Sequence, residues 1–482
     1  MLAPPTFPGL LAAAAALARR AELAAGAATD EEPVLSLALP LQAGNVTSLD
    51  PLALLPALGT SDSFRFLWDG APGLCLAASG RCNSLQLSGP RRFELAQRFC
   101  GLSLQRLAVP PGPLPPLARP RVVLAFAFFD NPVHQGGAVP GVEAVLPRWQ
   151  LSRQGGHCWL RLQRGLGGAI TPRAVAEELW EMARHLEGLA TLDPEPAHLG
   201  ATALAPLVAA GSDWRDPYRA ALHRGLALVE QGELRKLVIA ARERLELRGP
   251  LDPRLLLAHL RRSQPGSCRF LWQSTADAAL LGASPERLFS LREGLLRADA
   301  LAGTRPSGAG AGELLGSEKD RHEHELVVET ITQVLRRAGL APRHPRHPRL
   351  ARHGGLVHLH TPITAAQGGQ SPLALAEALH PTPAVAGLPR REAMAWLRTL
   401  EPFERGHYAA PIGWIDNQGD GELRVAIRSG LLRPGRLEIT AGAGLVRGSV
   451  PDREEREVAL KLRVLRDQLL PVGAGASRRA IV

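Results

Sequence analysis

The sequence predicts a protein of mixed α and β structure, and three observations carry that reading. Short strand-like runs alternate with turn residues from about 62 to 165, among them "FRFLW", "RVVLAFAFFD" and "HCWLRLQ". Helical and strand-like runs then alternate through short loops from 213 to 470. The composition, 45% apolar and 21% charged, is that of a folded globular chain, and 482 residues can build one large or about two to three ordinary domains.

Residues 1–60 are rich in Ala, Leu and Pro. Their longest apolar run, "GLLAAAAALA", falls short of the roughly 18–20 residues a membrane-spanning helix needs. No basic residue precedes it, so it reads as a short alanine-rich helix rather than a signal peptide. The stretch 171–189, "TPRAVAEELWEMARHLEGL", opens on Thr-Pro and keeps helical spacing. Residues 190–212 read as a connector. Residues 340–355 read as a basic loop broken by prolines, its histidines solvated rather than metal-bound. The last residues, "PVGAGASRRAIV", read as a disordered tail. This divides the chain into an N-terminal segment 1–60, an N-terminal subdomain 61–212, a principal region 213–470 and a tail 471–482.

The net charge of +10 would suit an anionic partner. Only Lys236, Lys319 and Lys461 are lysines among the 56 basic residues, and the arginines are dispersed. With aromatic residues at 4%, no stacking platform is evident, and nucleic acid is not the expected partner. Cys75, Cys82, Cys100, Cys158 and Cys268 form no CxxC pair, which fits free thiols in a reducing cytoplasm.

"RKLVIAARERLEL" (235–247) places Leu234, Lys236, Val238 and Ala240 on one strand face, with Leu237, Ile239 and Ala241 on the other. Both faces are apolar, which predicts a buried strand. Lys236 is then either a desolvated amine usable as a general base, or a residue at the strand's start snorkelling to water. "LLGASPERLFSL" (280–291) sets Glu286 just after Ser-Pro, between two strand-like runs. A carboxyl in an apolar turn can stay protonated and act as an acid; an exposed turn glutamate is the plainer alternative.

"SEKDRHEHELVVETITQVLRRAG" (317–339) is a helix with the stripe Val327, Ile331 and Val334, and Glu323 lies one turn back on the same face. "PDREEREVALKLRVLRDQLL" (451–470) is a second, in which Glu454, Glu457 and Lys461 share a side. Carboxylates from two helices aimed at one place suit Mg²⁺; two solvated charged faces are the alternative. His322 and His324 point about 200° apart on a helix and cannot both hold zinc. "AGTRPSGAGAG" (302–312) is no Walker loop, because no lysine in the chain is followed by Ser or Thr. "AGAGLVRG" (441–448) imitates a dinucleotide turn, but too little chain follows for the strands that fold needs. Arg428 falls near the end of a strand, where it could clamp a carboxylate.

Taken in order, "KLVIAAR", "LLGASPERLF", "LAGTRPSG", "SEKDRHEHELVV", "HLHTPI", "LHPTPAVAG", "LEPFERGHYAAPIGW", "VAIRSG", "AGAGLVRGS" and "REEREVALK" resemble the chorismate-utilising enzymes, and most closely the isochorismate synthases. The resemblance covers roughly 213–470, which makes that region the chorismate-binding catalytic part. It implies an α+β fold: two large, mostly antiparallel sheets packed as a sandwich, helices outside, the active site between. It implies an isomerase that converts chorismate to isochorismate with Mg²⁺, for quinone, siderophore or salicylate pathways. Lys236 matches the base that activates water to attack C2, and Glu286 the acid that protonates the departing C4 hydroxyl. Glu323 and Glu457 match the metal ligands, with Glu454 acting through water. Gly303, Ala384, Arg428, Gly442 and Lys461 match substrate contacts. Lys319 receives no chemical role and is expected in an ion pair on its helix surface.

Anthranilate synthases lack the lysine matched by Lys236. Aminodeoxychorismate synthases carry a nucleophilic lysine where this chain has Ala302. Neither an amidotransferase domain nor an amidotransferase subunit is expected. Salicylate synthases, which also eliminate pyruvate, match at every one of these positions and are the alternative; a non-catalytic chorismate-binding protein is a further one. Four positions depart from the family pattern: Ala241 for an arginine, Val357 for an aromatic or polar residue, Glu455 for a tryptophan and Val450 for an acidic residue.

Overall fold

The computed structural model describes residues 5–25, 33–42, 49–59, 64–132, 139–166, 170–192, 207–210, 213–308 and 312–469. The tail 471–482 lies outside the described residues.

Alternating apolar runs pair into two layers of strands. The first runs from Leu107–Ala108 through Val34–Pro40, His157–Gly165, Val142–Gln154, Cys75–Leu87 and Arg65–Asp69. It continues through Cys268–Thr275, Ala278–Ser284, Ser429–Arg433 and Arg436–Leu445 to Lys236–Leu247. The second starts from the other half of Val142–Gln154. It passes through Arg121–Phe126, Pro411–Asp416, Gly421–Val425 and Arg287–Arg292 to Leu295–Pro306, Leu356–Ala366 and Arg349–His353. Among the described residues only the pairing of Val34–Pro40 with Leu107–Ala108 is parallel.

The layers face each other across an aromatic core. Phe66, Trp68, Phe270 and Trp272 from the first meet Val123, Ile412 and Trp414 from the second, all essentially without exposure. The Phe64 and Trp272 ring centroids lie 4.9 Å apart, edge to face, the arrangement ring quadrupoles favour. Helices lie outside. Phe7–Ala25, the alanine-rich run of the sequence, packs on Pro172–Leu192 and the strand Val34–Pro40. Glu318–Arg337 lies along Leu295–Pro306, and Pro451–Arg466 along Arg436–Leu445. This is the α+β sandwich that the resemblance implies.

Three local expectations need correction. The connector 190–212 contains the strand Leu207–Ala210, paired to the end of Lys236–Leu247. The basic loop 340–355 becomes a strand at Arg349–His353, because Leu350 packs on Val357 and Leu359. The glycine run at 441–444 is no turn. It is the middle of Arg436–Leu445, held in register by ten residue pairs with Lys236–Leu247.

One buried ion pair joins the edges of this frame to the region where the candidate residues gather. Arg405 is fully buried, and its Nε donates to Glu401 Oε2 at 2.7 Å. Its remaining nitrogens donate to the carbonyls of Val385 and Val238, both at 2.7 Å. Glu401 accepts in turn from the amide of Ala240 at 2.8 Å. The clip thus fastens the segment 384–388 to the strand that bears Lys236. Arg405→Ala should destabilise the protein by about 3–5 kcal/mol, because it strands a buried carboxylate. A Glu401→Leu/Arg405→Met double variant should recover much of that loss; urea titration of the three proteins measures both.

Candidate active site

Strands from both layers bring the predicted residues to one pocket. Its walls include Val238, Ala441, Gly442 and Gly444 from the first layer and Leu301–Thr304 and His358 from the second. Eight of the ten predicted site residues line it: Glu286, Gly303, Glu323, Ala384, Arg428, Gly442, Glu457 and Lys461. Lys236 and Glu454 stand directly behind, each joined to the carboxylate network.

Lys236 begins its strand and is fully buried, so it does not snorkel. Its Nζ lies 2.9 Å from Glu323 Oε1. The contact is close but poorly aligned, and the amine makes no well-directed hydrogen bond. Gly444 permits this approach: a Cβ there would sit 3.0 Å from Lys236 Cε and would overlap the Glu323 carboxylate. The helix Glu318–Arg337 is set by Ser317, whose hydroxyl accepts from the Asp320 amide at 3.3 Å. Burial pushes the Glu323 carboxyl up, but Lys236 and then Lys319 outweigh it and hold the group at about 2.

Lys319 is not the surface ion pair the sequence suggests. Its Nζ donates to Glu454 at 2.8 Å and lies 3.7 Å from Glu323. It therefore joins the two helices through their acidic residues. Lys461 lies 2.6 Å from Glu457, one turn back, and donates to the Gly442 carbonyl at 2.8 Å. All three lysines of the chain thus sit against three glutamates in one place. Burial, then the charge of Glu457, raises the Glu454 carboxyl to about 7 against the pull of Lys319. Glu455, which stands where the family has a tryptophan, contacts Arg219 at 2.5 Å and Arg215 at 3.3 Å and so ties its helix to Arg215–Glu230.

Glu286 occupies the short link between Ala278–Ser284 and Arg287–Arg292. Ser284 pins that link: its hydroxyl donates to the Val425 carbonyl at 2.6 Å and accepts from the Glu286 amide at 3.3 Å. Only 2% of Glu286 is exposed, which rules out a solvated turn residue. Burial pushes its carboxyl up to about 8, although Lys236 pulls the other way.

Arg428 lies between Gly421–Val425 and Ser429–Arg433 with φ +52°, a backbone geometry rare outside glycine. Burial lowers its guanidinium to about 10. Its Nη2 donates to His358 Nε2 at 3.3 Å, and His358 Nδ1 donates to the Gly303 carbonyl at 2.9 Å. Burial, then the Arg428 charge, keeps His358 well below its ordinary pKa, hence neutral, which fits this tautomer. Gly303 itself has φ +67°, which a side chain would strain. His358, Thr304 and Tyr408 line the pocket but were not singled out from the sequence. The first histidine of "HLHTPI" and the tyrosine of "LEPFERGHYAAPIGW" were the available signals. Val357, another departure from the family pattern, points away into a small apolar cluster with Leu314 and Leu359.

The donor chemistry of Glu323, Glu454 and Glu457 is that which suits a hard divalent cation, and burial, then the charge of Glu457, raises the Glu454 carboxyl. Among the described residues no three acidic, histidine or cysteine side chains converge closely enough to form a preassembled metal group. The lysines hold the carboxylates instead.

A family model described as "Chorismate binding enzyme" matches residues 22–470. The "Salicylate biosynthesis isochorismate synthase" of Pseudomonas aeruginosa is 36% identical over 442 residues, 89% of either chain. The "Isochorismate synthase EntC" of Escherichia coli is 36% identical over 253 residues, 50% of this chain and 64% of that one. Among solved structures, the menaquinone-specific isochorismate synthase MenF from Escherichia coli superposes with TM-score 0.72 at 25% identity, covering 95% of this chain and 99% of that one. With the pocket assembled from the very segments that suggested the resemblance, the chain belongs to the chorismate-binding enzyme family.

Proposed function

We propose that the protein is an isochorismate synthase acting on chorismate in the cytoplasm. The observation that carries this reading is the meeting, around one pocket, of a buried amine just behind its wall, a buried carboxyl and an acidic pair of helices. Five unpaired cysteines support a reducing compartment, and no helix among the described residues is long and apolar enough to cross a membrane.

In this reading Lys236 takes a proton from water as the oxygen bonds to C2 of the ring. The ring double bonds shift, the C4–O bond breaks, and Glu286 delivers a proton to the departing oxygen. One water enters and one leaves, so the reaction is an isomerisation. Arg428 and Lys461 face the substrate's carboxylates, and neutral His358 holds the Arg428 guanidinium in place. Glu323 and Glu457, with Glu454 acting through water, would hold Mg²⁺, which supplies positive charge for the ring carboxylate.

Incubation with chorismate and Mg²⁺, followed by chromatography, should yield isochorismate, and EDTA should abolish the yield. Turnover indifferent to EDTA would remove the metal assignment. Salicylate and pyruvate accumulating instead would move the protein to the salicylate synthases. Lys236→Gln should lower kcat by roughly 10²–10⁴-fold, the usual contribution of a positioned base; full turnover in that variant would sink the proposed base.

The acid role fixes a pH dependence. Glu286 must be protonated to act, and its folded pKa is raised to about 8. Activity should therefore hold at neutral pH and fall as pH rises through about 8. The same shift makes Glu286 oppose folding progressively from its unfolded pKa up to about 8, because the folded state keeps a proton that the unfolded state has released. In a Glu286→Gln variant this component of the stability–pH curve should vanish, as melting at stepped pH would show.

A further inference from the structure

The strand pair Lys236–Leu247 and Arg436–Leu445 carries more than the catalytic pocket. Side chains alternate along a strand, so Lys236, Val238, Ala240, Arg242 and Arg244 share one face. Gly444, Gly442, Thr440 and Glu438, their partners in register from Val238 onward, lie on the same face. Its first half lines the catalytic pocket. Four residues further, about 13 Å along the strand, that face lines a second cleft with Arg242, Arg244, Arg433, Arg436 and Glu438. Tyr408 forms a wall of both.

The second cleft sets five guanidinium groups, of which that of Arg405 is already held by Glu401, against two carboxylates, Glu404 and Glu438. Glu438 is shared at long range: Arg244 lies 3.4 Å away, Arg436 3.8 Å and Arg242 3.9 Å. Arg433 has no ion pair among the described residues. The Arg244 and Arg436 side chains are 56% and 45% exposed, so a solute meets donors not yet committed. Arg242 supplies the rigid floor. It lies 4.4 Å over the Phe403 ring and donates to the Glu404 carbonyl at 2.7 Å. Planar guanidinium forks held this way match carboxylates in paired hydrogen bonds.

The geometry points to an anion-docking site in this cleft, one that binds small molecules bearing two or more carboxylates. The substrate and product of the proposed reaction are of that class, and in this respect the inference rests on that reading. The cleft's field reaches the neighbouring pocket. The screening length is about 30 Å at 0.01 M salt and about 8 Å at 0.15 M, so the effect belongs to low ionic strength.

Citrate is the probe, titrated calorimetrically into the full chain at low salt. Saturable binding is expected, weakened roughly tenfold or more in Arg433→Gln/Arg436→Gln, a loss of about 1.4 kcal/mol or more. Glu438→Gln should bind citrate more tightly, which keeps the test open if the double variant fails to fold. Lys461→Gln, altered only in the catalytic pocket, should bind citrate as before. With chorismate, the double variant should lose kcat/KM at low salt, keep kcat, and approach the parent protein as salt rises. Equal citrate affinity in parent and double variant, or binding abolished by Lys461→Gln, would overturn the site. Absence of chorismate turnover in the parent protein would overturn the enzymatic reading alone, since citrate binding is measured without it.

Discussion

The contact between Lys236 and Glu323 is the constraint around which the rest is arranged. An amine and a carboxylate, both removed from water, lie 2.9 Å apart at the meeting of a central strand and a helix. Either charge alone would be costly at that depth. The remaining parts keep the pair supplied with compensation. Lys319 closes the far side of Glu323 and reaches Glu454, while Glu457 answers Lys461. Gly444 removes the side chain that would hold the two apart.

A second relay, running through a neutral imidazole to a guanidinium, balances this network on the opposite wall. The Gly303 carbonyl fixes the His358 tautomer, and His358 in turn takes one guanidinium hydrogen of Arg428. Arg428 accepts an unusual backbone angle to stand there. Strain of this kind persists only where surrounding structure over-determines it, and the strands on either side of Arg428 do so. Glu286 stays protonated in the same surroundings because burial outweighs the pull of Lys236.

Much of this was legible in the chain. Apolar residues on both faces of 234–241 announced a buried strand, and left its lysine either buried or snorkelling from the strand's start. Helical spacing placed Glu323 over the apolar stripe and put Glu457 beside Lys461. What stayed hidden depends on distance in sequence. Glu401 meets Ala240 across 161 residues, and Arg428 meets His358 across 70; no local pattern encodes either. Lys319 read as part of an ion pair on its own helix surface because its partner Glu454 arrives from a helix 135 positions later. The glycines at 442 and 444 read as a turn because glycine is a poor strand former. Pairing along the whole of Lys236–Leu247 overrides that preference.

The near-absence of lysine elsewhere has a practical corollary. The chain offers three ε-amino groups in all, with side chains 0%, 26% and 17% accessible, and every one is engaged by a glutamate of the same cluster. Reagents that acylate amines, or proteases that cut after lysine, therefore find no ε-amine on the outer surface away from the candidate pocket. Covalent labelling at lysine becomes a gauge of how open that pocket is, with no background to subtract from the remainder of the molecule's basic residues.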